Sequence, residues 1–427
     1  MIDVKWLRER PDALRQAMAD KGVTVDVDAL VQLDRERRET INAVDALKQQ
    51  RNDISKAVGE RKRQGEYADD LIARTGDLIN EIKELDARLK ELEAEFEELL
   101  LTVPNPAHPS VPVGQTPEEN PVVKTWGEPR EAGDFPLKNH LELGEALGLF
   151  DFNRGTKITG TGFPLYTGAG ARLERALINF MLDMHTRKHG YREVFPPFLV
   201  NRRSLTATGQ LPKMEEDMYL AQVDDLFLIP TAEVPVTNIH QDEILAEKDL
   251  PLRYTAYSAC FRREAGSYGK ETHGFLRVHQ FNKVEMVKFV LPETSYAELE
   301  TLRRDAEEVL EALDLPYRVL ELVTGDLSFA AAKCYDLELW APGEQRWLEV
   351  SSCSNFEDFQ ARRGNIRFKP RTGGKPQFIH TLNGSGVATA RLLVAILENY
   401  QQPDGTIKVP AALVPYFGAE VITSRDA

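Results

Sequence analysis

Arg262 and Glu264 stand in the run Phe261-Arg262-Arg263-Glu264, and Phe281 follows downstream in Val278-His279-Gln280-Phe281. These residue types suit a nucleotide. A guanidinium fork makes paired, charge-assisted hydrogen bonds to phosphate, and a phenylalanine ring presents a face on which a base can stack. Between the two runs lies a polar stretch with Gly266, Gly269 and Gly274. Residues Phe275-Leu276-Arg277-Val278-His279-Gln280-Phe281 alternate, so the spacing predicts a strand. Strand, charged loop and strand together can cradle a phosphate and close over a base. The same pattern also describes a surface hairpin carrying scattered charge.

Three further clusters could do chemistry. Thr231-Ala232-Glu233 follows an apolar run at Leu226–Ile229. On an extended segment its hydroxyl and carboxylate point to one side and could hold an ammonium group. Glu349-Val350-Ser351-Ser352 ends another apolar run. Glu349 and Ser352 offer hard oxygen ligands suited to Mg²⁺ held mainly by phosphates, although a strand end with a turn reads the same way. Thr381 to Arg391, TLNGSGVATAR, is a glycine-rich entry to an apolar helix. Such an entry binds anions at the helix N-terminus, with Arg391 adding a cation; a capped core helix is the alternative.

The elements that must position these residues are of mixed type. Helices are expected over 170–189, 294–313 and 387–400. Strands are expected after Tyr191 and near 226–229, 277–289, 318–322, 336–340 and 347–351. There is no regular βαβ repeat, no G-x-x-x-x-G-K-[ST] loop, and no G-x-G-x-x-G after a clear strand. The expected class is α+β, a mostly antiparallel sheet flanked by helices.

The N-terminal quarter differs. A short helix is expected from Val4 to Lys21. Apolar positions then recur in steps of three and four from Leu30 to Val58, and again from Leu71 to Leu99, with a break between Gly59 and Gly65. That is the pattern of an antiparallel coiled-coil hairpin spanning 28–101. Two helices of about 30 residues would make a projecting arm of about 45 Å. The charge on this arm is sorted: Lys48, Arg51, Lys56, Arg61, Lys62 and Arg63 lie near the turn, and a run of glutamates lies toward the end of the second helix. A basic tip can reach a phosphate backbone, or it is the solvated face of a coiled coil. A proline-rich, extended linker beginning at Pro104 marks the expected boundary, giving domains 1–103 and 104–427.

Composition narrows the function classes. The chain has 427 residues, 28% of them charged and 42% hydrophobic, enough for a large core. No run of 18 apolar residues exists, so no membrane span is expected. The N-terminus has no apolar h-region, which argues against secretion and for a cytoplasmic home. The three cysteines form no C-x-x-C pair, so no zinc site and no disulfide framework is expected. A formal charge of −15 argues against a protein coated in nucleic acid, unless positive charge is local.

His189-Gly190-Tyr191-Arg192-Glu193-Val194-Phe195-Pro196-Pro197, then F-R-x-E with its strand, then the glycine-rich helix with Arg391 resemble the three ordered motifs of class II aminoacyl-tRNA synthetases. With the hairpin arm, TAE, FRREAGS, RVHQFNKVE, EVSSCSN, FQARR and NGSG, essentially the whole chain resembles the bacterial-type seryl-tRNA synthetases. The resemblance implies ATP-dependent ligation of L-serine to serine tRNA through a seryl-adenylate and, depending on the host, serylation of selenocysteine tRNA. It assigns ATP to Arg262, Arg263, Glu264, Val278, His279, Gln280, Phe281, Glu349, Val350, Ser351, Ser352 and Arg391. Mg²⁺ falls to Glu349 and Ser352, and catalysis to Arg262 and Arg391. Serine falls to Thr231, Ala232, Glu233, Arg262, Glu285, Asn383 and Ser385. The long variable arm of the tRNA falls to the hairpin, through Arg51, Lys56, Arg61, Lys62 and Arg63. A homodimer is implied, with Pro197 at its interface.

There are departures from the family pattern. Arg263 replaces the usual serine of F-R-S-E, Phe356 follows SCSN where cysteine is common, and the last motif reads GVATAR. Arg263 is expected to point away from the α-phosphate or to add charge near it. A repurposed synthetase-like protein and a coiled-coil adaptor are the rival readings.

Overall fold

The computed structural model describes residues 1–133, 135–264 and 274–424; Gly266 and Gly269 lie outside the described residues. The chain forms two compact units. One comprises Ile2–Ala19 and Val23–Pro104, the other Asn105 onward with Met1 and Asp20–Gly22.

The first unit is helical. The expected single helix from Val4 to Lys21 is two, α1 (Lys5–Glu9) and α2 (Pro11–Asp20). Pro11 has no N–H to continue α1, and it pushes Arg10 out of the helical region, to φ −143°. Two long helices follow, α3 (Val27–Arg63) and α4 (Asp69–Leu101), paired as a hairpin. Asp26 caps α3 by accepting from the Ala29 N–H. The break expected from Gly59 falls later, because α3 runs through Gly59 to Arg63. A mid-helix glycine costs only about 1 kcal/mol, and Arg61, Lys62 and Arg63 suit a helix C-terminus. At 1.5 Å per residue the two helices are about 55 and about 50 Å long, more than the 45 Å expected.

Packing in the hairpin follows the apolar steps. Leu30, Val44, Leu78, Ile82, Leu92, Phe96 and Leu100 are buried, while Leu47, Ile54 and Val58 near the turn are half-buried. The Arg37 guanidinium lies 5.1 Å above the Phe96 ring. Asp34 is buried and accepts from Arg8, Arg37 and Arg38 at 2.8–3.3 Å, which joins α1 to α3.

The second unit is built on an eight-stranded sheet. In chain order its strands are β1 (Val122–Trp126), β2 (Arg192–Glu193), β3 (Leu252–Phe261), β4 (Gln280–Val290), β5 (Tyr317–Glu321), β6 (Lys333–Ala341), β7 (Arg346–Asn355) and β8 (His380–Ala388). Their order across the sheet is β1-β5-β6-β7-β8-β4-β3-β2, antiparallel except for the β2/β3 pair. Helices α5 (Gly168–Arg187), α6 (Ser295–Ala312) and α7 (Thr389–Tyr400) pack on it, and their buried Leu, Val and Ile side chains form one large core with those of the sheet. Among the described residues no helix is long and apolar enough to cross a membrane.

Three expectations are corrected here. The strand expected from Phe275 begins only at Gln280; 275–279 are turn and bend, because Gly274 (φ +64°) turns the chain tightly past the His140 ring. The glycine-rich stretch before Arg391 does lead into α7, but as β8, a strand inside the sheet that ends at Ala388. Its glycines provide clearance: a Cβ at Gly384 would meet Leu302 at 2.7 Å, and one at Gly386 would meet His185 at 2.3 Å. The proline-rich stretch is not a free linker from Asn105 onward. Asn105 Nδ2 donates to the Ala330 and Phe356 carbonyls at 2.9 Å, and the His108 N–H donates to the Ala332 carbonyl.

Arg8 foremost holds the Asp34 carboxyl below its ordinary range. Stability from this group is therefore present above the usual carboxylate pKa and is lost as pH falls through the lowered one. Asp34→Asn is expected to destabilise the helical unit by about 2 kcal/mol at pH 7. Urea unfolding at several pH values checks this, and the difference from the unaltered chain should shrink in acid.

Candidate active site

The site follows from the alternation of side chains along β4. Phe281 and Lys283 line a cavity of about 640 Å³, and Glu285 lies on the same face. On that face Val287 and Phe289 join an apolar cluster with Tyr254 and Ala256. On the other face Val284 and Met286 enter the main core, while Asn282 and Lys288 hydrogen-bond to α5 and α6. Ser385 of β8 pairs directly with Glu285, and Asn383 pairs with Ser354 of β7.

Two buried carboxylates lie at the cavity, Glu233 in its wall and Glu285 beside it. Asn383 Nδ2 donates to Glu233 Oε2 at 3.1 Å and to Glu285 Oε1 at 3.0 Å. Glu285 Oε2 accepts from Thr231 Oγ1 at 3.1 Å and pairs with Lys283 Nζ at 2.6 Å. Gln360 Nε2 donates to Glu233 Oε1 at 2.6 Å and to the Thr208 carbonyl, while its Oε1 accepts from Thr381. Burial first, and the neighbouring Glu285 second, push the Glu233 carboxyl up to about 7. Thr231 and Glu233 share the cavity, but not on the extended segment expected. Ala232 is helical, with φ −66° and ψ −16°, and Glu233 opens the short helix Glu233–Thr237.

Two arginines also line the cavity. Arg262 follows β3; its Nε donates to the Pro230 carbonyl at 3.3 Å, and its guanidinium lies 5.2 Å from the Phe281 ring centroid. Arg391, in the first turn of α7, donates from Nε to the Leu276 carbonyl and from Nη1 to the Glu349 carbonyl at 2.9 Å. Glu264 takes a left-handed backbone (φ +53°) and pairs with Arg277 at 2.6 Å. A bulge in β7 between Glu349 and Ser351 leaves Glu349, Ser352 and Ser354 all on the cavity wall. The Glu349 side chain is 48% exposed, and Ser352 brings a hydroxyl to the same wall. This donor set of hard oxygens fits Mg²⁺.

Thr231, Glu233, Arg262, Glu264, Val278, Phe281, Glu349, Val350, Ser352, Asn383, Ser385 and Arg391 thus line one cavity. Ala232 turns into the apolar cluster. Ser351 is buried and donates to the Ser385 carbonyl at 2.6 Å. His279 lies beside Phe163 and holds the Arg262 carbonyl at 2.9 Å, and Gln280 is exposed. Arg263 points elsewhere, over Tyr219, donating to the Met218 carbonyl. On the hairpin, Arg61 pairs with Asp70 at 3.0 Å and Arg51 bonds Asn52, while Lys56, Lys62 and Arg63 are exposed.

Sequence reasoning passed over Lys283, Arg277 and Gln360 as members of the site. Each stands in or beside a quoted motif, and an alternation count from Phe281 would have found Lys283. Asp336 gave no signal. It lies opposite Ser352 on β6, its carboxyl pushed up by burial and then by Glu349. A separate group, His140, Glu344 and Glu398, is closed on itself: the Glu398 carboxylate accepts backbone N–H groups from His140, Gly343 and Glu344.

Residues 1–107 match the family described as seryl-tRNA synthetase N-terminal domain, and 217–400 match the class II tRNA synthetase core domain (G, H, P, S and T). The chain is 57% identical to a serine–tRNA ligase of Chloroherpeton thalassium over 426 residues, 99% of this chain and all of that one. It is 56% identical to a serine–tRNA ligase of Caldanaerobacter subterraneus subsp. tengcongensis, covering both chains completely. A crystal structure of seryl-tRNA synthetase from Pyrococcus horikoshii complexed with ATP superposes with TM-score 0.93 at 39% identity, over 99% of each chain.

Lys283→Met leaves Glu285 buried without its cation and is expected to cost about 3 kcal/mol of stability. Urea unfolding checks this. The double change Lys283→Met/Glu285→Gln should recover more than half of the loss.

Proposed function

Because this chain belongs to the seryl-tRNA synthetase family, we propose that it ligates L-serine to serine tRNA with ATP, through a seryl-adenylate, in protein synthesis. The observation that carries this reading is one cavity whose wall brings Thr231, Glu233 and Asn383 together with Arg262, Phe281 and Arg391. Serine's ammonium meets Glu233 and Thr231, with Glu285 and Asn383 behind them. Its hydroxyl is read by hydrogen bonds, so alanine would leave a buried partner unpaired. ATP lies with its base on Phe281 and its phosphates against Arg262 and Arg391; ATP as the nucleotide is supported by the Pyrococcus relative, whose crystal structure is complexed with ATP.

The serine carboxylate attacks the α-phosphorus, and pyrophosphate leaves. The terminal ribose hydroxyl of the tRNA then takes the seryl group from the adenylate. No protein nucleophile is required. Arg262 and Arg391 act by placing the reactants and stabilising charge that develops on the phosphoryl oxygens. Glu349 and Ser352 would hold Mg²⁺, which neutralises phosphate charge when bound. Residues 1–103 serve as the tRNA-binding arm, with Arg51, Lys56, Arg61, Lys62 and Arg63 reaching the variable arm of the tRNA, and 104–427 as the catalytic domain. Homodimer assembly through the segment around Pro197 and a cytoplasmic location complete the proposal.

Arg262→Ala is expected to lower serine-dependent ATP–pyrophosphate exchange by about a thousandfold. Deleting Asp34–Leu99 should leave exchange intact and abolish tRNA charging; normal charging by that variant would refute the role of the arm. Glu233 must be ionised to hold the ammonium, and its carboxyl sits at about 7. The KM for serine should therefore rise as pH falls below about 7, and Glu233→Gln should flatten that profile.

A further inference from the structure

Behind the cavity wall lies a buried carboxyl group that the two-step reaction does not use. Glu174 of α5 is 5% exposed. Its Oε1 accepts from Asn282 Nδ2 at 2.8 Å and from Thr389 Oγ1. Asn282 lies on β4 between Phe281 and Lys283, both of which line the cavity. Thr389 opens α7 between Ala388 and Ala390, also cavity residues, two positions before Arg391. Asn282 is held in turn by Tyr257, whose hydroxyl donates to its Oδ1 at 3.0 Å. One oxygen atom thus joins the strand that carries the aromatic face to the helix that carries the cation.

We propose that Glu174 is a positioning residue of the ATP site, fixing Phe281 against Arg391 through Asn282 and Thr389. This inference rests on the ligase reading given above. A purely apolar core would fill the space behind a sheet at lower cost, since a buried polar group must find partners. Here both partners of Oε1 sit next to residues of the cavity wall. The other oxygen, Oε2, and the nearby Tyr166 hydroxyl are buried without hydrogen-bond partners among the described residues. Among the described residues, the titratable groups that face Glu174 are Tyr166 and Tyr257, neither a cation at neutral pH. Burial, offset in part by the Thr389 and Asn282 hydrogen bonds, pushes the Glu174 carboxyl up to about 7. Above that pH the wall gains a buried negative charge, on the side where phosphates are to bind.

The test is the KM for ATP and for serine in ATP–pyrophosphate exchange from pH 6 to 9, with melting temperatures, for the unaltered chain, Glu174→Gln, Glu174→Ala and Asn282→Ala. Glu174→Ala and Asn282→Ala should each raise the ATP KM about tenfold and leave the serine KM within about twofold. The unaltered chain should lose ATP affinity as pH rises above about 7, opposite in direction to the serine profile. Glu174→Gln, whose amide oxygen can accept the same two bonds, should keep the ATP KM of pH 7 and lose that pH dependence. Lower melting temperatures with an unchanged ATP KM in both alanine variants would overturn the inference, as would an unaltered pH profile in Glu174→Gln. If Glu174→Ala does not fold, Asn282→Ala decides. Absence of serine-dependent exchange in the unaltered chain would instead remove the ligase reading.

Discussion

Glu233 and Glu285 are two buried carboxylates that share one amide, Asn383, and that sharing constrains the sheet-based unit of the molecule. Like charges so close cannot persist in a low-dielectric interior without compensation. The compensation comes from several separate places. Lys283 lies on the same strand as Glu285, Thr231 precedes the short helix that begins at Glu233, and Gln360 reaches in from the helix Phe359–Gly364. Each partner must arrive in register, so β8 cannot slip against β4 without unpairing a charge. The glycines of β8 serve the same end, because they let α5 and α6 press close behind the strand that carries Asn383 and Ser385.

The sheet separates recognition from support by a period of two. On β4, Phe281 and Lys283 line the cavity with Glu285 on the same face, and Asn282, Val284 and Met286 face helices and core. Precision of this kind suits a reaction that needs no protein nucleophile. Where chemistry consists of holding a carboxylate in line with a phosphorus, rate depends on placement. The arginines are likewise restrained by backbone carbonyls, Arg262 by Pro230 and Arg391 by Leu276 and Glu349.

Much of this was legible from residue order. The hairpin showed in the apolar steps of α3 and α4, because a coiled-coil seam repeats over many turns and averages out local noise. The convergence of Thr231, Arg262, Phe281, Glu349 and Arg391 showed through motifs long enough to be specific. What failed was local. The strand expected from Phe275 ignored the positive φ of Gly274, where a Cβ would meet the ring of His140, a residue remote in sequence. NGSG was read as a glycine-rich, anion-binding entry to a helix, when its glycines give clearance to Leu302 and His185 on distant helices. Gln360 and Asp336 act through neighbours that only tertiary structure brings near. Arg263 was expected to avoid the α-phosphate or add charge near it, and its guanidinium rests on Tyr219.

The central claim is that one cavity selects serine and activates it with ATP. ATP–pyrophosphate exchange without tRNA, run with each of the twenty amino acids, tests it most directly. The account predicts exchange with serine and with no other amino acid at comparable efficiency. Exchange with none of them, or with a different amino acid in preference to serine, would contradict it.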